Sequence, residues 1–304
     1  MAITLPSYAK INWILEILGK RSDGYHELRT ILQTISVADQ LTFSPIEAGI
    51  EIECDHQDVP LDRSNLVHKA ATLLGEFTGI KTGVRIRIDK RIPTAAGLGG
   101  GSSNAAITLI ALQKMWNLQL DPADLFSIGS QLGADVPFFF MGGTCLGVGR
   151  GDEVYPLEDL PAQSLLLVNA GISVSSRDAY ANLPHELTNN DGLAKMPLSL
   201  KAAYAFSGSG SGDVVPIWEL LKNDLEIPVL PLHPLIGDIK QRLKKSGARG
   251  VLMSGSGSTV FGIFDSQETR SRAQSDLSDT GWWCAPAHTL GRKDYRKACS
   301  WNGN

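Results

Sequence analysis

Residues 7–18 alternate in character: Ala9, Ile11, Trp13, Leu15 and Ile17 fall on one face and Lys10, Asn12, Ile14 and Glu16 on the other, the period-two pattern of a strand. Lys10 and Asn12 therefore share a face. The turn-forming run 19–24 leads through Tyr25 and His26 into a second strand over Leu28–Val37. A third run, Val84–Ile88, turns its apolar residues inward and its arginines outward, and Asn65–Phe77 before it reads as an amphipathic helix. Strand, glycine loop and helix then follow in order. Pro93, Thr94, Ala95 and Ala96 lead into Gly97, Leu98, Gly99, Gly100, Gly101, Ser102 and Ser103, and a segment rich in Ala, Ile and Leu continues with helical period to Trp116.

A further helix, Pro122–Leu132, is stopped by Gly133, which places Asp135 in a break between elements and not inside one. From about residue 160 the pattern restarts, with a strand at Ser164–Asn169, a helix from Ser176, a polar loop, helices near Trp218 and Ile236, and a strand at Val260–Phe264. The boundary falls near Glu158, giving two domains, 1–158 and 159–304, as the chain length also suggests. The Ser/Gly run Ser207–Gly212 has the composition of a linker or surface excursion.

Composition narrows the function classes. The 28 Lys/Arg against 32 Asp/Glu give a net charge of −4, so no global basic field recruits nucleic acid or an anionic membrane. The longest apolar runs, at 136–141 and 165–168, are far short of the roughly 18 residues that cross a bilayer, and Lys10 interrupts any signal-like apolar block. A cytoplasmic protein is the expectation, with no nucleic-acid or membrane partner. Cys54, Cys145, Cys284 and Cys299 are scattered singly, read as reduced and mostly buried thiols, and no histidine pattern suggests a caged transition metal.

Four glycines in five positions, 97 and 99–101, let a backbone approach an anion and aim several N–H groups at it, while the following helix adds its positive end. This is a phosphate site in physical terms; a tight turn requires fewer glycines, each of which costs backbone entropy. It is not a Walker A loop, since no Gly-Lys-Ser/Thr follows, and Ser102 replaces the third glycine of a dinucleotide fingerprint. A second cluster, Ser254–Thr259, suits a hairpin turn and a ligand-approaching loop equally well. Taken singly, Lys10 reads as a solvated lysine or as a group orienting an oxygen nucleophile, and Asp135 as a turn-stabilising side chain or a base.

As an ordered set these segments resemble the GHMP small-molecule kinase superfamily along nearly the whole chain, with Pro93–Ser103 matching its glycine loop and Ser254–Thr259 its C-terminal glycine motif. Ala9–Asn12, Gly19–Leu28, Leu132–Pro137, Gly149–Asp152 and Asn223–Glu226 resemble, more narrowly, the 4-diphosphocytidyl-2-C-methyl-D-erythritol kinase family. The resemblance implies an α+β, two-domain GHMP kinase fold, with an N-terminal ribosomal-protein-S5-like domain carrying the ATP site and catalytic pair, and a C-terminal ferredoxin-like domain. It implies transfer of the ATP γ-phosphoryl to the 2-hydroxyl of a small cytidine-diphospho sugar alcohol in the non-mevalonate route to isoprenoid precursors. Asp135 is then the general base and Lys10 its partner. Asn65, Lys90 and the stretch Pro93–Ser103 serve ATP, and Asn12, Tyr25, His26 and Tyr180 serve the second substrate, Tyr25 and Tyr180 on opposite faces of the cytosine. Mg²⁺ accompanies ATP with no ligand identified in the sequence, Ser103 being one candidate contact. The rival implications are a mevalonate- or homoserine-type kinase, against which the Tyr25-His26 segment argues, and an inactive nucleotide-binding regulator, against which Lys10 and Asp135 argue.

Overall fold

In the computed structural model, which describes residues 1–188 and 215–299, two sheets are packed between layers of helices. The first half of the chain contributes β1 (Ile3–Lys20), β2 (His26–Ile46), β3 (Ile50–Cys54), β4 (Gly83–Asp89), β5 (Thr144–Val148) and β6 (Glu153–Pro156). The second contributes β7 (Ser164–Asn169), the two-residue β8 (Lys222–Asn223), β9 (Gly250–Met253), β10 (Val260–Phe264) and β11 (Trp283–His288). Strands β3-β4-β2-β1-β8 form one sheet in that order, with β5 hydrogen-bonded to β2 and β6 to β5. The other sheet runs β11-β7-β10-β9, all antiparallel, the strand order of a ferredoxin-like β-α-β-β-α-β unit. The Ser207–Gly212 run lies outside the described residues.

Local pattern fixes many boundaries. The arginines of β4 are exposed and its valine and isoleucines buried, as alternation requires of a half-buried strand. Strand β7 has apolar residues on both faces because it is covered on both: Leu165 and Leu167 face the first sheet, Leu166 and Val168 the outer helices. Helices α1 (Leu66–Thr78), α2 (Gly100–Met115) and α3 (Pro122–Leu132) pack on the outer face of the first sheet. Its inner face meets the second sheet through Ala9, Ile11, Trp13 and Ile14, with the Trp13 ring edge-on to Phe261 at 5.4 Å between centroids.

Strand β1 departs from simple alternation. Register shifts at Tyr8/Lys10, Asn12/Ile14 and Ile17/Gly19 break the period, so Ile14 joins Trp13 in the inter-sheet core instead of lying on the face of Lys10 and Asn12. Both strands of this hairpin are longer than their alternating centres indicated, the first by four residues and two, running to 3–20, and the second to 26–46. The segment at Trp218 is a single 3-10 turn, Ile217–Glu219, and not a full helix.

The connection 157–163, which contains Glu158, joins the two sheets, yet the chain returns to the first sheet twice afterwards. Strand β8 pairs in parallel with β1 at Ile14 and Leu15. The C-terminal helix Arg292–Ala298 carries Tyr295 and then Cys299 into the first core. Tyr295 is fully buried, its hydroxyl donates to the Phe139 carbonyl at 2.5 Å, and its ring lies where a Cβ on Gly142 would stand. Truncating this side chain removes a large aromatic plug from a core that cannot collapse around the gap. Tyr295→Ala is therefore expected to cost about 3–5 kcal/mol and Tyr295→Phe about 1–3 kcal/mol, the latter through the orphaned carbonyl. Urea unfolding followed by circular dichroism measures both, and equal midpoints for Tyr295→Ala and the parent chain would refute the plug.

Candidate active site

Lys10 sits on β1 with 5% of its side chain exposed, and its Nζ donates to Asn12 Oδ1 at 2.8 Å and lies 3.5 Å from Asp135 Oδ2. Burial of an ammonium is costly unless it is paired and hydrogen-bonded, and here both partners are at hand. Asn12 is fixed in turn: its Nδ2 donates to Thr30 Oγ1 at 2.8 Å, and that hydroxyl donates to the Ile14 carbonyl at 2.7 Å. Asp135 reaches the lysine from the short break after α3, with 37% of its side chain open to the cleft. A positioned cation beside an accessible carboxylate can hold a hydroxyl and take its proton.

The glycine loop passes directly under this pair. Gly99, at φ +67°, leaves room for the Lys10 stem, since a Cβ there would come within 3.0 Å of Lys10 Cγ. Gly97, at φ +76°, abuts the loop between β9 and β10 so closely that a Cβ would stand 2.0 Å from the Ser254 carbonyl oxygen. Ser254 Oγ donates to the Gly97 carbonyl at 2.9 Å, and Thr259 N to the Ala96 carbonyl at 3.2 Å. The Ser254–Thr259 cluster, ambiguous in the sequence, is the seat of the first glycine loop. It is held from three further sides. Asn223 Nδ2 bonds the Met253 and Gly255 carbonyls at 2.8 and 2.7 Å, Asn169 Nδ2 bonds Ser258 and Thr259, and the Ser176 and Ser256 hydroxyls meet at 2.9 Å.

Two cavities meet at this loop. A cleft of about 1200 Å³ is lined by Lys10, Asn12, Tyr25, His26, Gly97, Asp135 and Tyr180, among others. A smaller cavity of about 350 Å³ is lined by Asn65, Lys90, Pro93, Thr94, Ala96, Leu98, Gly100 and Gly101. Ala95, Gly99 and Ser102 belong to both walls. The first turn of α2, with its unpaired N–H groups and positive end, opens at that junction.

Several side chains named from the sequence are already engaged. Asn65 caps α1, its Oδ1 accepting from Val67 N at 2.9 Å and its Nδ2 donating to the Pro60 carbonyl at 2.6 Å. Lys90 Nζ is paired with the fully buried Asp39 at 2.7 Å and also donates to the Ile92 carbonyl. Asp39, which local pattern did not single out, accepts from four donors: Lys90 Nζ, Asn104 Nδ2, and the backbone N–H groups of Arg91 and Ile92. It pins the chain just ahead of the glycine loop. Asn104 Oδ1 is buried with no protein partner and belongs to a residue lining the smaller cavity. Ser103, the candidate metal contact, is fully buried and faces inward from α2, where Ser7 Oγ donates to its hydroxyl at 2.7 Å. It lines neither cavity, whereas its neighbour Ser102 lines both.

In the larger cleft the Tyr180 ring stacks on His26, with centroids 5.4 Å apart and planes 24° apart. Burial pushes the Tyr180 phenol above its ordinary range, and the charge of Asp135 adds to the effect. Burial lowers the His26 pKa, helped by the Lys20 charge, so its ring is neutral at pH 7. Tyr25 is 57% exposed, and its recorded ring contact is with the Arg150 guanidinium, 5.1 Å from the ring centroid, and not with Tyr180. Cys145 and Cys299 are buried, Cys54 and Cys284 partly so. Among the described residues no helix is long and apolar enough to cross a membrane.

The GHMP kinases N terminal domain matches residues 65–143, and the GHMP kinases C terminal domain matches residues 212–281. A 4-diphosphocytidyl-2-C-methyl-D-erythritol kinase of Syntrophotalea carbinolica is 44% identical over 278 residues, which cover 91% of this chain and 95% of that one. A crystal structure of a 4-(cytidine 5'-diphospho)-2C-methyl-D-erythritol kinase superposes with a TM-score of 0.77 at 35% identity, covering 95% of this chain and all of the other. A homoserine kinase of Cytophaga hutchinsonii shares the fold at a TM-score of 0.68 but only 18% identity, over 97% of this chain and 96% of that one. With the glycine loop seated on its C-terminal counterpart and near-complete coverage at this identity, the chain belongs to the GHMP kinases and, within them, to the 4-diphosphocytidyl-2-C-methyl-D-erythritol kinase family.

Proposed function

We propose that the chain transfers the γ-phosphoryl group of ATP to the 2-hydroxyl of 4-diphosphocytidyl-2-C-methyl-D-erythritol. The observation that carries this reading is the Lys10–Asp135 contact in the wall of the larger cleft, beside the junction with the smaller cavity. ATP in the smaller cavity would lay its phosphates across Gly99–Ser102, where backbone N–H groups and the α2 terminus meet negative charge. The acceptor in the larger cleft would bring its hydroxyl between Lys10 and Asp135. Asp135 would take the proton as the oxygen attacks, and Lys10, buried and held by Asn12, would keep the hydroxyl aimed.

Phosphoryl transfer asks mainly for positioning and charge stabilisation, and the double glycine seat supplies the first. For Mg²⁺, no group of three or more carboxylate, histidine or cysteine ligands gathers among the described residues, and the Ser103 hydroxyl is turned away. These described residues therefore do not form a cage for the ion. A cleft of about 1200 Å³ ending in Tyr25, His26 and Tyr180 suits a nucleotide-linked acceptor better than free mevalonate or homoserine. The intact Lys10–Asp135 pair speaks against an inactive regulator. The reading places the enzyme in the cytoplasm, where thiols such as Cys54 and Cys284 stay reduced.

A coupled assay of ADP release with ATP, Mg²⁺ and the cytidine-diphospho substrate tests the activity, with mevalonate and homoserine as competitors; efficient turnover of either competitor would overturn the substrate assignment. Asp135→Asn keeps the shape but cannot take a proton, and is expected to lower kcat by about 10²- to 10⁴-fold with an unchanged circular dichroism spectrum. Lys10→Ala should lower kcat comparably while leaving ATP binding in place. For the base, Tyr25→Ala is expected to reduce kcat/KM for the cytidyl substrate by roughly ten- to a hundredfold, the scale of one lost stacking contact. His26→Ala should narrow the preference for cytidine over uridine forms, because an edge hydrogen bond discriminates bases and stacking does not. Steady-state kinetics against both nucleotide forms reads the two effects, and an unchanged preference in His26→Ala removes it from base reading.

A further inference from the structure

The hairpin turn between β5 and β6 places Arg150 in the wall of the larger cleft, and its guanidinium lies over the Tyr25 ring at 5.1 Å. Tyr25 sits on a turn with more than half its surface exposed, and a bare aromatic ring on such a turn samples many rotamers. The turn backbone is fixed: Tyr25 N donates to Asp23 Oδ1 at 3.0 Å, and Arg21 N donates to the Tyr25 carbonyl at 2.8 Å. Among the described residues, the ring contact of Tyr25 is with Arg150. Arg150 is pinned in turn, its Nη2 donating to Asp152 Oδ2 at 2.5 Å, and the Asp152 side chain is only 14% exposed.

We propose that Arg150, clamped by Asp152, is a positioning residue that backs one face of Tyr25 and so presents the other face as a preformed stacking platform for the cytosine of the substrate. This rests on the reading of the cleft as a cytidine-diphosphate site. An arginine suits the task because its planar, delocalised fork can lie against the ring while a carboxylate holds its edge, which a lysine ammonium cannot do. Pre-setting the ring removes the ordering cost that binding would otherwise meet, so the effect falls on affinity for the nucleotide-bearing substrate and not on the chemical step.

The test is binding of CDP by calorimetry, with the ATP site filled by a non-hydrolysable ATP analogue, alongside steady-state kinetics of the complete reaction. Arg150→Gln is expected to weaken CDP binding and raise the KM for the cytidyl substrate by about two- to fivefold, the scale of one partly exposed cation–π contact, with kcat and the KM for ATP unchanged. Arg150→Lys should behave like Arg150→Gln, since it keeps the charge and loses the planar stack. In a Tyr25→Ala background Arg150→Gln should have no further effect, because the ring through which it acts is gone. Wild-type affinity in Arg150→Lys would overturn the proposal in favour of simple attraction between a positive charge and the diphosphate, and so would an undiminished effect in the Tyr25→Ala background. If the parent chain neither binds CDP nor turns over the cytidyl substrate, the cleft reading itself fails and takes this one with it; if it does both and the Arg150 variants match it, only the platform falls.

Discussion

The site depends on one close approach of backbone to backbone, where Gly97 of the first half of the chain lies against the Ser254 carbonyl of the second. No side chain fits there, and the Ser254 hydroxyl closes the gap with a hydrogen bond to the Gly97 carbonyl. Because the β9–β10 loop is fastened by Asn223, Asn169 and Ser176, the glycine loop inherits the rigidity of the second sheet. The first turn of α2 is thus aimed by contacts distant in sequence.

Two buried cations flank the loop, and their surroundings give them different work. Lys90 is matched by Asp39, itself satisfied by four donors, so the pair is closed and serves to hold the strand end before Pro93. Removing one partner would strand the other charge in a dry environment. Lys10 is as buried, yet its carboxylate partner is more than a third exposed and stands in the cleft. The difference lies in the partner: Asp39 is fully buried and taken up by four donors, whereas Asp135 keeps part of its carboxylate open to the cleft.

The larger cleft carries aromatic rings that neighbours hold in place: His26 under Tyr180, and Arg150 over Tyr25. On the proposed reading, a base entering the cleft would meet a His26 ring already stacked on Tyr180. On that reading recognition of the acceptor would be spread over both halves of the chain, while the glycine loop and Asp135 come from the first.

The sequence alone determined those elements whose burial follows a local period. Strand β4 alternates, β7 and β10 are short apolar runs bounded by polar residues, and α3 opens on Asp121 and Pro122 and stops at Gly133, so each boundary is a property of a few consecutive residues. Strand β3, Ile-Glu-Ile-Glu-Cys, carried the same alternating signal and was there to be read. The phosphate-approaching character of 97–103 was equally local, because glycine content and helix start are written in one stretch. Other features had no local signature. Strand β9 is buried throughout and has no period; β8 is two residues long and exists because β1 accepts it; β11 contains Pro286, tolerated because it lies at the sheet edge. Only the tertiary structure could decide that Asp39 closes on Lys90, that Ser103 turns inward to Ser7, that Tyr295 returns to the first core and that Arg150 covers Tyr25. Each of these is a contact between residues dozens to hundreds of positions apart, and its existence depends on how two sheets and their loops are set against each other, a relation that no window of consecutive residues contains.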